Sequence, residues 1–292
     1  MEYLKAHRRS ALLLFLLIIN ISIWYAVSAE SRHGVLTVAV LNIGQGDAIF
    51  IEAPNGNQII VDGGPDQRLL SELGHVMPFY DRSIDMIINT NPDSDHYAGF
   101  LDLLKSYKVG EFMESGTVSD TPTYHELEKT VAEKHIPKII AKRGMKILLD
   151  KDVSLYVLYP DRDVSNWTSN NGSIVMKLVY GDTSFLLQGD ATAEVEKYLI
   201  SLEKSPESRG YGGLSGQVLK VGHHGSRTST SEEYVEAVSP EYAAISDGKN
   251  NRYGHPHKET LETLQKNNVK ILRTDLQGRI IFESDGETIA VK

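Results

Sequence analysis

The chain has 292 residues, which is enough for one large domain or two small ones with a sizeable core. Its formal net charge of −9 excludes a strongly basic protein of the kind that binds duplex DNA with its whole surface, although it leaves room for a local basic channel. The sequence contains no cysteine, which excludes disulfides and zinc sites built from thiolates.

The N-terminal segment differs from the rest of the chain. A positively charged start is followed by an almost wholly apolar run over residues 11–27, and small residues then stand where a signal peptidase could cut. The run is also at the lower edge of the length that spans a membrane. The pattern predicts a signal peptide or signal-anchor over residues 1–29. It also predicts an extracytoplasmic domain over 34–292, either secreted or anchored to the membrane by this one segment.

From residue 34 onward, short runs rich in Val and Ile alternate with helical patterns. Strands are predicted at residues 35–41, 48–53, 58–61, 84–89, 139–141, 153–158, 174–180, 184–187, 218–221 and 242–246, followed by a final pair. Helices are predicted at residues 98–107, 124–135, 191–202, 231–238 and 258–267, with a surface loop at 204–216. The elements alternate in two blocks, roughly 35–190 and 217–292, which predicts an α/β fold of two packed sheets with helices outside.

The densest group of polar side chains directly follows the predicted strand at 84–89. Its sequence is Asn91-Pro92-Asp93-Ser94-Asp95-His96. Carboxylate oxygen and imidazole nitrogen both bind divalent metals, so this loop predicts a metal site. The alternative is a polar turn in which Asn or Asp side chains cap the backbone.

Aspartate and histidine recur where other predicted strands meet glycine-containing turns. The residues in such positions are Asp62, Asp190, His223, His224, Ser226 and His255. Because active sites of layered folds lie in loops at strand ends, this repetition favours a metal-dependent site over a set of unrelated polar turns.

Taken in order, these segments resemble the metallo-β-lactamase domain of ComEC-type competence proteins, which take up DNA. The matching segments are 41–47, 61–64, 91–99, 170–173, 188–190, 220–229 and 253–257. The resemblance implies a four-layer αβ/βα sandwich with metal between the sheet edges. It also implies a hydrolase that cleaves phosphodiesters, with DNA as the expected substrate.

The resemblance implies one complete metal position, formed by Asp95, His96 and His255, with Asp190 as the bridging carboxylate. The second position departs from the superfamily's His-x-His-x-Asp-His loop. Asn91 and Asp93 replace its first two histidines, and Ser169 stands where a third usually lies. Such hard oxygen ligands suit Mn²⁺ or Mg²⁺ better than Zn²⁺. We therefore expect one or two divalent ions, Mn²⁺ or Zn²⁺ with Mg²⁺ as a further candidate, and only one of them held firmly.

The remaining residues receive supporting roles. Asp62 is expected to orient a ligand or the attacking water. His224, and less strongly His223, is expected to donate a proton to the leaving oxygen, and Ser226 to hydrogen-bond a phosphate oxygen.

Two other functions stay open. One is hydrolysis of another ester or phosphodiester of the cell envelope. The other is a degenerate fold that binds nucleic acid or a protein partner without turnover, which Asn91 and Ser169 suggest. Because the competence proteins carry a multi-span channel and this chain has a single apolar segment, a separate uptake-channel partner is a further expectation.

Overall fold

The computed structural model describes residues 2–30, 34–203 and 213–292. The chain divides into two units, Met1–Gly34 and Val35–Lys292. Most of the loop predicted at 204–216 lies outside the described residues.

The first unit contains helix α1 (Glu2–Glu30). Its stretch His7–Tyr25 has 19 residues with a mean hydropathy of 1.4, long and apolar enough to cross a membrane. A signal sequence satisfies the same criterion, so the choice between signal peptide and anchor stays a prediction. The small residues predicted as a cleavage site lie within the helix.

The second unit contains fifteen strands within its described residues. They are β1 (Leu36–Val40), β2 (Ile49–Glu52), β3 (Gln58–Val61), β4 (Ser83–Asn89), β5 (Lys108–Glu114), β6 (Lys138–Ile140), β7 (Lys146–Asp150), β8 (Val153–Tyr159), β9 (Val175–Tyr180), β10 (Thr183–Leu187), β11 (Val218–Lys220), β12 (Tyr242–Ile245), β13 (Lys270–Arg273), β14 (Ile280–Ser284) and β15 (Ile289–Val291). One sheet has the order β15-β14-β1-β2-β3-β4-β5-β6, and the other has the order β13-β12-β11-β10-β9-β8-β7.

Seven helices accompany the sheets in the described part of this unit. They are α2 (Arg68–Val76), α3 (Ser94–Ser106), α4 (Pro122–Glu133), α5 (Ala193–Leu202), α6 (Glu232–Val238), α7 (Lys258–Lys266) and the short α8 (Thr274–Gln277). Helix α4 shows why its sequence starts a helix. Pro122 occupies the first turn, where its missing N–H costs nothing, and the Thr121 hydroxyl accepts a hydrogen bond from the Tyr124 N–H.

Successive side chains of a strand point to opposite faces, and this alternation builds the layers. In β3, Ile59 and Val61 belong to the core between the sheets, whereas Ile60 packs with the helices of the first sheet. Phe185 of the second sheet meets Phe282 of the first edge to face, with ring centroids 5.8 Å apart. Separate clusters lie under α2–α4 and under α5–α7. The predicted four-layer αβ/βα sandwich is therefore confirmed.

The predicted division into two sequence blocks was wrong in one respect. Strands β14 and β15 pair beside β1, so the eight-stranded sheet takes strands from both ends of the folded unit. Strands β7, β8, β9 and β10, all within the first block, belong instead to the second sheet. Elements α2, β5, β7 and α8 had no counterpart in the prediction, and three strands rather than two follow α7.

The site is positioned by the carboxyl ends of neighbouring parallel strands. Strands β3 and β4 run parallel in the first sheet, and β10, β11 and β12 run parallel in the second. Helix α3 begins at Ser94, four positions before the prediction, so Asp95 and His96 lie in its first turn.

Candidate metal centre

Asp190, directly after β10, lies among three imidazoles. One of its carboxylate oxygens, Oδ2, is 3.1 Å from His96 Nε2 and 3.8 Å from His223 Nε2. The other, Oδ1, is 3.9 Å from His224 Nε2. Asp190, His96 and His224 are buried, whereas His223 is partly exposed. The structure thus places Asp190 at the centre of the three imidazoles, and its role as a bridging carboxylate stays a prediction.

Asp62 contacts the Nδ1 side of the His96 ring, opposite the Nε2 side that faces Asp190. Its Oδ2 is 2.9 Å from His96 Nδ1 and accepts a hydrogen bond from the Thr90 hydroxyl, and its Oδ1 accepts one from the Thr90 N–H. These contacts point Nε2 of His96 toward Asp190. Asp62 has a φ of 58°, a left-handed conformation that costs a non-glycine residue on the order of 1–3 kcal/mol. This geometry meets the requirement for the predicted orienting role.

His224 has an equivalent support that the sequence interpretation missed. Its Nδ1 lies 3.0 Å from the Ser246 carbonyl oxygen and 3.2 Å from Asp47 Oδ1, while Nε2 faces Asp95 Oδ2 at 3.5 Å. The buried Lys220 ammonium donates to Asp47 Oδ2 at 2.7 Å. Asp47 and Lys220 both lie in segments that carry the family resemblance, and this was the signal that could have identified them.

Gly46 allows Asp47 to approach the centre closely. It has a φ of 128°, and a Cβ atom there would stand 2.3 Å from the Asp95 carbonyl oxygen. Since only glycine tolerates this approach, the loop before β2 can pack directly against the first turn of α3. The Asp47 N–H then donates to the Asp95 carbonyl at 3.2 Å.

The carboxylates and imidazoles shift one another's pKa values. Burial alone would raise the pKa of Asp190, but the positive charges of His96 and His224 hold it below its usual range. Burial alone would lower the pKa of His224, but Asp190 and Asp47 raise it to about 10. The pKa of His96 is raised in the same way by Asp190 and Asp62. In the metal-free protein these imidazoles therefore carry protons that a bound cation would displace.

Several buried atoms of this cluster lack hydrogen-bond partners among the described residues. They are His96 Nε2, His224 Nε2, Asp190 Oδ1, Asp47 Oδ1 and His255 Nδ1. An unsatisfied buried polar atom costs about 1–3 kcal/mol, so their grouping indicates that something else satisfies them. Three sets of donor atoms each lie within 4.8 Å of one another, namely Asp95/His96/His224, Asp47/Asp62/His96 and Asp47/Asp190/His224. Nitrogen and carboxylate oxygen donors at this spacing fit a divalent metal ion.

The structure groups the predicted ligands differently from the sequence. His255 was expected to join Asp95 and His96, but the group of donor atoms within 4.8 Å of one another that contains those two residues includes His224 instead. The His255 ring lies at the cavity wall, 6.2 Å from the His224 ring and 5.6 Å from Tyr253, on which it stacks. Burial and the nearby His224 and His223 lower its pKa to about 4. His224, predicted as a proton donor, is thus also a candidate ligand.

The oxygen-rich half of the predicted site is engaged in its own hydrogen bonds. Asn91 is fully buried, and its Oδ1 accepts from the Asp93 N–H at 2.9 Å. Asp93 Oδ2 accepts from the Ser169 hydroxyl at 2.8 Å. Asn91 therefore makes the capped turn that was the alternative to a ligand role, and metal binding through its oxygen stays a prediction.

A cavity of about 370 Å³ opens onto the cluster. Its lining consists of Gln45, Pro92, Asp93, Ser94, Asp95, Ser119, Thr121, Asp190, His223, His224, Tyr253 and His255. Ser226 does not line it, because its buried hydroxyl accepts hydrogen bonds from the N–H and hydroxyl of Thr228. The predicted phosphate contact of Ser226 therefore has no support in this geometry.

Two packed sheets with an Asp–His cluster at their edge define a metallo-hydrolase fold. Residues 41–246 match the metallo-β-lactamase superfamily, and the chain belongs to it. It is 34% identical over 263 residues to ComE operon protein 3 of Bacillus subtilis (strain 168), a match that covers 84% of this chain and 32% of that protein. It is 29% identical over 246 residues to competence protein ComA of Neisseria gonorrhoeae, and this match also covers 84% of this chain and 32% of that protein. The chain thus spans about a third of the length of these relatives.

Solved structures show the same fold at low sequence identity. CmlA, a diiron β-hydroxylase from Streptomyces venezuelae, superposes with a TM-score of 0.54 and 13% identity over 84% of this chain and 53% of that one. Igni18, a metallo hydrolase from the archaeon Ignicoccus hospitalis, superposes with a TM-score of 0.50 and 14% identity. That match covers 84% of this chain and 98% of Igni18. The resemblance to ComEC-type proteins inferred from the motifs is confirmed by the curated relatives.

Proposed function

We propose that the chain is a metal-dependent phosphodiesterase that cleaves DNA outside the cytoplasm. The observation that carries the proposal is the buried Asp190 between His96 and His224, with unpartnered nitrogen and oxygen atoms that converge beside an open cavity. The competence proteins among its relatives support DNA as the substrate class.

The donor set fits a divalent ion held by Asp95, His96, His224 and Asp190, with His255 at the cavity wall as a further ligand. Such an ion would lower the pKa of a coordinated water and offset phosphate charge. Asp62 contacts Nδ1 of His96, and Nδ1 of His224 lies between the Ser246 carbonyl oxygen and Asp47, so both Nε2 atoms would be left to face the ion.

His223 is better placed than His224 to donate a proton to the leaving oxygen. Its Nδ1 is held by the Thr228 hydroxyl at 3.0 Å, and its ring is partly exposed at the cavity. His224 is fully enclosed, with Nδ1 against a main-chain carbonyl. Proton donation needs contact with the substrate, and of these two rings, both of which line the cavity, the His223 ring is the more exposed.

The proposed ion is Mn²⁺ or Zn²⁺, with Mg²⁺ as a further candidate, and a second ion would bind weakly. The oxygens of Asp93 and Asn91 are the atoms left for that second ion, and both are engaged in hydrogen bonds. Weak, oxygen-rich sites favour Mn²⁺ over Zn²⁺.

The deciding experiment measures cleavage of single- and double-stranded DNA and of bis(p-nitrophenyl) phosphate by the full chain against Mn²⁺, Zn²⁺ and Mg²⁺. Activity should rise with Mn²⁺ over the millimolar range and vanish with chelator. Asp190→Asn provides the matched control, because it keeps the shape and removes the charge. No cleavage with any ion would sink the hydrolase proposal.

A binding module without turnover is the second candidate. The self-satisfied hydrogen bonds of Asn91, Asp93 and Ser169 favour it, because they leave one half of the usual metal site without free ligands. Retained DNA binding together with absent cleavage would support this function. Hydrolysis of bis(p-nitrophenyl) phosphate without cleavage of DNA would instead indicate another envelope ester or phosphodiester.

The proposed location follows from helix α1 and its positively charged start. We expect the basic residues to stay in the cytoplasm and the folded unit to lie outside, anchored or secreted and acting with a separate uptake channel. Protease added to spheroplasts should digest the folded unit. Protection until the cells are lysed would contradict this topology.

A further inference from the structure

A second, smaller pocket of about 140 Å³ is lined by Tyr159, Arg162, Trp167, Glu194, Val195 and Tyr198. Three of these side chains are aromatic. The rings of Tyr159 and Tyr198 meet edge to face with centroids 6.4 Å apart. Trp167 is 41% exposed, so its ring is accessible to a ligand. The pocket therefore offers flat apolar walls to solvent.

Polar contacts fix the walls of this aromatic pocket. The Tyr159 hydroxyl donates to the Asn171 carbonyl at 2.8 Å. Asp161 accepts from both Arg162 and the Tyr198 hydroxyl, and the Arg162 guanidinium lies 5.1 Å from the Tyr198 ring centroid. Two walls are thus held in place before any ligand binds, which lowers the entropy cost of binding.

The aromatic pocket lies close to the metal centre along two chain segments. Trp167 is two positions before Ser169, whose hydroxyl bonds Asp93 at the cavity wall. Glu194 is four positions after Asp190, so their Cα atoms are at most about 14 Å apart. A short stretch of extended polymer can bridge this distance.

We propose that the aromatic pocket binds a nucleobase of single-stranded DNA whose backbone lies at the metal centre. This inference rests on the proposed function and names the form of the substrate. Aromatic side chains stack on any base, so they add affinity without sequence preference. This matters for a chain of net charge −9, which has little general attraction for phosphate.

The charge at the rim favours a base over a phosphate. Glu194 is exposed at the pocket, and the charge of Arg162 is already paired with Asp161. A carboxylate repels phosphate, whereas it accepts hydrogen bonds from the exocyclic amino groups of bases. Paired and stacked bases of a duplex cannot enter such a pocket, so single strands should bind more tightly than duplexes.

The first test uses Trp167→Ala, with Phe79→Ala as a control because Phe79 is an exposed aromatic elsewhere on the surface. Binding of a fluorescein-labelled, mixed-sequence single-stranded oligonucleotide is measured in chelator. Trp167→Ala should weaken binding about tenfold, Trp167→Phe should restore most of it, and Phe79→Ala should not change it. Equal affinity of Trp167→Ala and wild type would overturn the inference.

The second test separates this inference from the proposed function. The ratio of kcat/KM for the oligonucleotide to that for bis(p-nitrophenyl) phosphate should fall about tenfold in Trp167→Ala. If the wild type cleaves neither substrate, the proposed function fails, and the binding measurement still decides the role of the pocket. In a Trp24→Phe variant, which leaves Trp167 as the single tryptophan, adding the oligonucleotide should quench fluorescence. Unchanged fluorescence would count against stacking.

Discussion

The two halves of the candidate metal centre are built in opposite ways. In the imidazole half, His96 and His224 each have a carboxylate behind the ring and an unpartnered Nε2 in front of it. In the oxygen half, Asn91 and Asp93 already accept hydrogen bonds from neighbouring loop atoms. The imidazole half therefore leaves ring nitrogens available to a metal ion, whereas the Asn91 and Asp93 oxygens are already engaged in hydrogen bonds.

A ligand position is therefore recognised by the atoms left without a partner as well as by residue type. Asp93 and Asp95 are two positions apart in one loop. Asp95 faces His224 at 3.5 Å, whereas Asp93 is bonded to Ser169. Residue type alone would have given both the same role.

The largest expected effect would separate the two halves directly. His96→Ala should lower metal affinity by more than about 100-fold, beyond the range typical of residues that only support a ligand, because it removes a ligand nitrogen. Asn91→Ala should change the affinity for the first ion little. The measurement is elemental analysis of purified variants with circular dichroism as a folding control. His255→Ala, at a partly exposed position, provides a second ligand variant. The comparison fails if Asn91→Ala loses the metal while His96→Ala and His255→Ala keep it.

Replacing the carboxylate that contacts the Nδ1 side of His96 should lower metal affinity by less than removing the ring itself. Asp62→Asn should weaken metal binding about 10- to 100-fold, because the amide orients His96 less firmly and removes a negative charge. Chelator competition gives the affinity. Asp66→Asn, an exposed aspartate paired with Arg68 in the same loop, is the matched control. Equal losses in both variants would argue against a specific role of Asp62.

Restoring an imidazole to the oxygen half should have a more modest effect. Asn91→His should tighten the second ion several-fold and shift the preference toward zinc, since imidazole is a softer ligand than an amide oxygen. Metal-dependence curves on the same DNA substrate give the result. If the curves of wild type and variant coincide, position 91 does not face an ion.

The smallest effect concerns stability and pH. Burial and the charges of His224 and His223 lower the pKa of His255 to about 4, below the value of about 6.5 expected in the unfolded chain. The folded state therefore binds fewer protons than the unfolded state. The contribution of His255 to the free energy of unfolding is present above about pH 6.5 and is lost as the pH falls through about 4. His255 is partly exposed, so the effect should be on the order of 1 kcal/mol or less.

This pH effect can be measured by urea unfolding of the metal-free protein between pH 7 and pH 4. The wild type should lose more stability over this range than His255→Gln, which cannot titrate at that position. If the free energy of unfolding falls equally with pH in the two proteins, the charged neighbours do not lower the pKa of His255.

The layers of the fold were predictable where strands are rich in branched residues. Strands β1, β3 and β9 fall within a residue of the prediction because their runs are almost wholly apolar. Strand β5 was missed because its first half is polar and exposed, and only its carboxyl end is buried. Helix α2 was missed because its N-cap residue, Gln67, is not one of the residue types that commonly mark a helix start.

The site was predictable only in part, because its supporting contacts are distant in sequence. Loops at strand ends identified Asp190, His96 and His224 correctly as neighbours. Asp47 and Lys220 are 173 positions apart, and no local pattern joins them. Lys220 occupies an otherwise apolar strand, where its burial and its partner become visible only in the folded structure.

The pairing of β14 with β1 affects how the chain folds during its synthesis. Strand β1 pairs with β2 on one side and with β14 on the other, with Val38 opposite Phe282. Because β14 follows every strand of the second sheet, β1 keeps an open edge until synthesis or export reaches residue 284. Open edges recruit strands of other chains, and pairing over long sequence separations is slow. A chain that folds in the order of its synthesis is therefore most prone to aggregate just before its final strands emerge, and a chaperone would protect it best at that stage.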